Sequence, residues 1–570
     1  MNIRIVTEPV IPARLRGALP QSNHFRRTLK SLLLVLAGAA LASAQAATNA
    51  APGTPVHLDE FLRRVWERNE AIQIRVLEAA ISDERHKAEK GVLEPEFVFG
   101  FDAVDKRRPN TQEQIFNLFG ATLYNERNRT YQGAFESTVA TGARLRAGYS
   151  LQSLNNNLND ARFGNGEWLT TVGLTATQPL LRGFGPKVTL AGIRAAAINS
   201  EISFQDYRKG LAEVMSKAEA SYWALYQAQE EAAIARESLR LAETILRDNR
   251  KRFELGKAPE LDVLQAEAGL ALRQATEIEG RQRLQEAQSR IAAMVSESPD
   301  APGAILTAAD VPKLGAQPMK LSDLWVQAYE CNPEIISQLK QADLDGVRLV
   351  VARNQRLPQL DLKGGYGFTG LGGGPGGSWD KASQQDFPSW SIGLELHIPL
   401  GGGVKSRHEL KATQLRREAT LLALENIQNQ LANGLRAMIQ SVLTLQDNAP
   451  RYQKAVDFNQ DVLKNQLARL EAGKTDSRAV LQAEEDLFKA RVSALDNLVK
   501  YQRAGLDLET LAGTLLKNRN LDLTREDLRN RSTVLTKSGK ISREKYDEFL
   551  QEMKQEYEKR RGSPPVAKAP

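Results

Sequence analysis

Seven charged residues, set around two glycines, are the first candidates for chemistry. In "RFELGKAPELDVLQAEAGL" (252–270), Arg252, Gly256 and Lys257 precede Glu260 and Asp262. In "RLEAGKTDSRAVLQAEEDL" (469–487), Arg469, Gly473 and Lys474 precede Asp476, and the position matching Asp262 holds Ala479. The chemistry open to such a set is ionic: carboxylates attract cations, and a nearby Arg or Lys can close on them. The same residues also suit plainer ends. Glycine stops a helix in the left-handed conformation, arginine complements the C-terminal dipole, and an acid favours the next N-terminus.

Other signals of chemistry fail on inspection. "GYGFTG" (365–370) has phosphate-loop glycine spacing after a strand, but "LGGGPGGSWD" follows it. That stretch reads as a loop at a hairpin end, so no helix N-terminus meets a phosphate. No complete G-x-x-x-x-G-K-[ST] loop occurs. The five histidines, His24, His57, His86, His397 and His408, are scattered without zinc spacing. "SGKISREKYDEFL" (538–550) has the outline of a calcium loop, but Val534, Thr536, Ser538 and Lys545 stand where carboxylates are needed. No catalytic set, metal site or cofactor site is expected.

The two glycine segments lie 217 positions apart, and the match extends around them. "LDEFLRRVWERNEAI" from Leu58 pairs with "LSDLWVQAYECNPEI" from Leu321, with Asn69 answering Asn332. "GLTATQPL" (173–180) pairs with "GLELHIPL" (393–400). The spacing falls from 263 to 220 between these matches, so the first copy carries 43 extra residues between its strands. Each copy reads helix, strand, loop, strand, long helix, glycine turn, long helix.

Period-two alternation marks the strands. Trp390, Ile392, Leu394, Leu396 and Ile398 share one face, against Ser391, Gly393, Glu395 and His397. Leu360, Leu362, Tyr366 and Phe368 form a second such row, and Phe97, Phe99 and Phe101 a third. The extra residues include "YQGAFESTV" and "GARLRAGYSLQ", an added hairpin turning at Ala140–Gly142. A three-four spacing marks the helices. It runs through Leu211, Val214, Ala218, Ser221, Leu225, Ala228, Ala232, Ala235, Leu239, Ala242 and Leu246, and in the second copy from Leu431 to Leu470. Residues 187–254 and 404–471 are 68 residues each, roughly 100 Å as helix. Pro450 predicts a kink in the second.

Composition narrows the setting. The chain has 570 residues and a net charge of +7, of which residues 1–44 supply +5. The near-neutral remainder does not suit nucleic acid. "FRRTLK", "SLLLVLAGAALA" and "ASA" (42–44) read as an export signal. Cys331 is the single cysteine, so no intrachain disulfide and no acylated cysteine after the leader is expected. No segment after the leader has eighteen consecutive apolar residues, so a membrane crossing must be made by strands. The expected organisation is a signal peptide (1–44), a linker (45–57), repeat one (58–297, strands within 97–177, helix hairpin 187–297), a linker (298–320), repeat two (321–516, strands within 359–398, helix hairpin 404–516) and a charged tail (517–570).

Four to six strands cannot enclose an aqueous lumen alone, and open edges are costly in hydrocarbon, so several chains must share one barrel. In residues 58–516 the sequence resembles the TolC-like outer-membrane efflux proteins. The resemblance rests on the duplication, on "QPLLRGFG" (178–185) and "IPLGGG" (398–403) at strand-to-helix junctions, and on the two Arg-x-x-x-Gly…Val-Leu-Gln-Ala tips. It implies a coiled-coil helical tunnel joined to a transmembrane β-barrel of twelve strands shared by a homotrimer. It also implies passive export of small molecules or polypeptides, powered by an inner-membrane pump through a periplasmic adaptor protein. It places Asp262, with Glu260 and Asp476 near it, at the tunnel's constriction, and Arg252, Gly256, Lys257, Arg469, Gly473 and Lys474 at the adaptor-docking tip. The 43 extra residues depart from the smallest family pattern and leave the strand count open. The rival reading is a periplasmic coiled-coil adaptor or structural protein with its strands in a soluble sheet.

Overall fold

The computed structural model describes residues 54–117, 122–157, 166–257, 259–295, 306–315 and 320–537. The export signal, the segment 538–550 and the rest of the tail lie outside these residues. The described chain is mostly helix with one large sheet. After β1 (Thr54–Val56) come α1 (Leu58–Arg68), α2 (Glu70–Glu89), β2 (Glu96–Pro109), α3 (Gln112–Asn117), β3 (Leu123–Thr138), β4 (Arg144–Leu154) and β5 (Glu167–Pro179). The first long pair follows: a short turn α4 (Pro186–Thr189), then α5 (Ala191–Glu254) and α6 (Glu260–Met294). Next come β6 (Leu306–Ala308), α7 (Leu321–Cys331), α8 (Pro333–Asn354), β7 (Gln359–Gly372), α9 (Pro375–Ser383) and β8 (Pro388–His397). The chain closes with the second long pair, α10 (Val404–Glu471) and α11 (Ser477–Leu511), then α12 (Leu515–Asn518) and α13 (Arg525–Lys537).

The three-four stripe on α5 faces inward. Leu211, Ala218, Leu225, Ala228, Ala232, Ala235, Ala242 and Leu246 are buried, and Val214, Ser221 and Leu239 are half-buried. Small alanines let α6 and α11 approach this helix closely, at the cost of apolar area per residue. Larger groups beside the stripe, among them Tyr207, Met215 and Tyr222, anchor the core formed with α1 and α2. At α5 and α6 together, and at α10 and α11, the rods span ~100 Å on the longer arm. One boundary differs from expectation. The first rod is not continuous from residue 187, because Leu190 leaves helical geometry and the long helix begins at Ala191. The second rod has the expected bounds, Val404–Glu471, with Pro450 inside the helix.

The matched asparagines perform one task at two places. Asn69 caps α2 by accepting from the Ala71 N–H (3.1 Å), and its amide donates to the Met294 carbonyl at the end of α6 (3.0 Å). Asn332 caps α8 through the Glu334 N–H (2.8 Å) and donates to the Leu511 carbonyl at the end of α11 (2.9 Å). Each satisfies an orphan donor at one helix start and an orphan acceptor at another helix end.

The expected linkers are not featureless. β1 and β6 pair in parallel, Thr54 with Leu306 through Val56 with Ala308, and Val56 and Leu306 enter the core. Asp310 holds this crossing. Its carboxylate accepts from the Leu58 N–H (2.6 Å) and the Tyr222 hydroxyl (2.8 Å), and pairs with His57 Nδ1 (2.8 Å). Burial pushes the Tyr222 hydroxyl up to about 12. The hydrogen bond to Asp310 raises His57 above its ordinary 6.5. For Asp310 burial pushes upward, but the bonds from His57, Leu58 and Tyr222 outweigh it and hold the carboxyl below 3.8. The first part of the tail is also docked. Arg519 bonds Glu219 (2.9 Å), Arg529 bonds Asp83 (3.0 Å), and Arg531 stacks over Trp66 at 3.8 Å from the ring centroid.

The two long pairs are joined by a buried ion pair. Arg273 on α6 donates to Glu484 on α11 at 2.8 and 3.0 Å and to the Leu481 carbonyl at 3.1 Å, with both side chains less than a tenth exposed. Arg273→Ala strands a buried carboxylate and should cost about 3–5 kcal/mol, whereas Arg273→Leu with Glu484→Leu together should recover most of it; denaturant unfolding followed by helical circular dichroism checks both. The Asp310–His57 pair gives a second expectation. His57 is raised on folding, so its stabilisation is complete below pH 6.5 and fades as pH rises through the raised value. Asp310 is lowered, so its share fades only as pH falls below 3.8. Melting temperatures of the native chain and of His57→Ala should therefore differ most between these limits and converge at alkaline pH.

Candidate functional site

The sheet carries its side chains in two chemically distinct sets. Its six strands run β2-β3-β4-β5-β7-β8, each antiparallel to the next. The turn between β3 and β4 falls at Ala140–Gly142, as the alternation predicts, closed by the Val139 N–H to the Ala143 carbonyl (2.8 Å). Directly opposed residues lie on one face. Phe97 opposes Phe135, which opposes Ala147, then Leu174, Tyr366 and Trp390. That face is apolar and uncovered: Phe97, Phe99, Phe101, Phe135, Leu174, Tyr366, Trp390, Ile392 and Leu394 are all more than half exposed. The opposite face is polar, with Gln132, Glu136, Arg146, Ser150, Thr171, Thr175, Lys363 and Glu395. Cross-strand ion pairs lie on it, Arg146 with Glu136 at 3.4 Å and Lys363 with Glu395. Such an arrangement suits lipid on one side and water on the other. It does not suit a soluble sheet, because an uncovered apolar row this large has no place in water.

The glycine-rich stretch after β7 is a correction to the sequence reading. It forms the helix α9 rather than a flexible loop. The reason is close approach. A Cβ on Gly370 would lie 2.2 Å from the Ser378 carbonyl oxygen and 2.3 Å from the Ala382 nitrogen, so only glycine lets the helix rest on the strand. Thr170 and Ser378 share a buried hydroxyl bond (2.8 Å), and Trp379 meets Tyr149 edge-on at 5.7 Å. α9 sits on the apolar side, just beyond the exposed aromatic row.

At the far end of the rods the two tips have one geometry. Gly256 and Gly473 adopt φ of +68° and +69°. The Lys257 N–H reaches the Arg252 carbonyl and the Lys474 N–H the Arg469 carbonyl, each at 2.8 Å, and the glycine N–H groups bond Phe253 (2.9 Å) and Leu470 (3.1 Å). This is the paired six-to-one and five-to-two closure of a helix end. Asp476 caps α11 through the Ala479 N–H (3.0 Å). Glu260 and Asp262 occupy the first turn of α6, where the helix dipole favours an acid.

The tips differ in their arginines. Arg252 donates to the Leu470 carbonyl of the other tip (2.9 Å) and is half-buried. Arg469, Lys257 and Lys474 are exposed. The chain thus brings both tips together, with Arg252 as a link between them. Two partners went unnoticed in the sequence. The buried Asn249 donates to the Asp262 carbonyl (3.1 Å) and accepts from the Ser477 hydroxyl (2.8 Å). A polar residue in the apolar stripe of α5 is the signal that was available. It fixes the backbone of Asp262 against α11, beside the small core of Ile245, Leu246, Ala266, Val480 and Leu481.

No helix among the described residues is long and apolar enough to cross a membrane, and these residues hold no cluster of metal-binding side chains. Comparison with known proteins agrees with the two-faced sheet. The model of the outer membrane efflux protein family matches residues 144–297 and 324–514, more than half of the chain. The alkaline protease secretion protein AprF of Pseudomonas aeruginosa is 25% identical over 334 residues, spanning 55% of this chain and 67% of AprF. Among solved structures, the CmeC outer membrane channel of Campylobacter jejuni superposes with a TM-score of 0.60 at 16% identity, covering 83% of this chain and 89% of CmeC. The open state of the MtrE outer membrane channel of Neisseria gonorrhoeae gives 0.57 at 16% identity, covering 82% and 91%. These structures share the TolC-like tunnel fold. The chain belongs to the outer membrane efflux protein family, which comprises efflux and secretion channels and not enzymes.

Proposed function

We propose that three copies of the chain surround one axis, share a β-barrel in the outer membrane and project their helix pairs as a tunnel into the periplasm. The observation that carries this reading is the uncovered apolar face of a sheet whose edges are open, continuous with rods far longer than a globule needs. Lipid covers that face, and neighbouring copies satisfy the edges. The duplicated sequence supplies two helix pairs per copy, so three copies wall the tunnel.

The duct is passive. An inner-membrane pump supplies the energy, and a periplasmic adaptor docks at the tips, so small molecules or secreted polypeptides leave without chemistry in the tunnel wall. AprF is named for the secretion of an alkaline protease, which supports polypeptide cargo as readily as drug efflux. Asp262, with Glu260 and Asp476, forms the constriction; three copies of each acid about the axis attract cations. Exposed Arg469, Lys257 and Lys474, presented around Gly256 and Gly473, form the docking tip, to which Arg252 contributes by holding the two bends together.

Purified protein should behave as a trimer in detergent and open ion-conducting channels in planar bilayers. Asp262→Ala should raise the divalent-cation concentration for half block by about tenfold, a loss near 1.4 kcal/mol. A detergent-free soluble monomer overturns the duct, and unchanged block removes Asp262 from the constriction.

A further inference from the structure

One subunit supplies six strands, and its outer strands β2 and β8 each have a single neighbour. We propose that the barrel has eighteen strands, closed by pairing β8 of one subunit with β2 of the next in a defined register. In this register Leu396 opposes Phe97, Leu394 opposes Phe99, Ile392 opposes Phe101 and Trp390 opposes Ala103. This rests on the threefold assembly of the preceding reading.

Direction permits the closure. Strands alternate across the sheet, and six is even, so β8 runs antiparallel to the β2 it meets. The register follows from the apolar band. The hydrogen-bonded pairs place Phe97 level with Phe135, Ala147, Leu174, Tyr366 and Trp390. On β2 the outward apolar residues lie at that level and away from the helices: Phe97, Phe99, Phe101 and Ala103. On β8 they lie at that level and toward the helices: Trp390, Ile392, Leu394 and Leu396. The band therefore slants across the sheet. A membrane is flat, so the strands must tilt until the band is level.

At the seam, a level band requires a displacement of about six residues along the strand, the length of the slant. Six residues over six strands is one residue per strand. With ~3.3 Å rise and ~4.8 Å strand spacing the tilt is about 35°, within the range that barrels adopt. An unshifted seam leaves the strands upright, which closed barrels do not allow. The shifted register also sets His397 opposite Glu96, Gly393 opposite Gly100 and Ser391 opposite Asp102 on the polar face.

A barrel built without β2 and β3 would have to break the ladder from Arg129–Ser153 to Thr138–Arg144 and leave Phe97, Phe99, Phe101 and Phe135 without lipid. The family match begins at residue 144, so β2 and β3 lie outside it. Diameter grows roughly linearly with strand number, so eighteen strands make the barrel about half again as wide as twelve.

The test is a cysteine pair in a Cys331→Ser background. Ser391→Cys with Asp102→Cys should cross-link subunits into covalent dimers and trimers when a short thiol-reactive linker is added to outer membranes. Ser391→Cys with Glu96→Cys, the unshifted register, should not. Electron cryomicroscopy of the unmodified protein should resolve eighteen strands. Linkage at Glu96 instead, or a trimer with twelve barrel strands and β2–β3 outside them, overturns the inference while leaving the duct intact. A monomeric protein overturns both.

Discussion

A β-sheet that faces hydrocarbon has to satisfy every backbone group within protein, and this constraint organises the whole chain. The six strands pair fully with one another but end in two open edges. In water such edges are hazards that charged residues and bulges blunt. In lipid they have to be paired, because the bilayer core offers no hydrogen-bonding partner. The apolar face, with Phe99, Trp390 and Ile392 among its most exposed residues, and the unpaired edges are thus two consequences of one solvent. On the proposed reading, a subunit of this kind is complete only as part of an assembly.

The helices answer a different constraint. A rod of roughly a hundred ångströms cannot bury itself in a globule, so its stability must come from lateral packing along its whole length. Alanine at repeated inward positions keeps the rods close, and sparse large groups such as Tyr207 and Tyr222 fix them at the waist. Where apolar packing thins toward the tips, polar links take over. Arg273–Glu484, Asn249–Ser477 and Arg252–Leu470 join the two pairs at successive levels. Removal of one partner from a buried link is costly, which makes these contacts specific as well as adhesive. The end of the molecule with the candidate constriction is thereby held by directional bonds, and an acid such as Asp262 keeps a fixed backbone position.

The sequence determined a good deal by itself. Period-two alternation marked β7, β8 and the turn between β3 and β4, and the three-four stripe on α5 named residues that are buried or half-buried without exception. The two glycines announced the tips. These features were legible because each is local: a face or a left-handed turn is set by neighbours within a few residues. Tertiary structure alone decided the rest. α9 exists because Gly370 admits a helix backbone onto a strand, a contact between segments whose own sequence reads as loop. β1 and β6 pair across some 250 residues, and Asp310 draws its partners from two separate segments, His57–Leu58 and Tyr222. Arg252, which the sequence offers as a docking-tip residue or, more plainly, as a dipole partner, donates to the Leu470 carbonyl of the opposite tip. Long-range pairing depends on where the chain returns, and no periodicity records that.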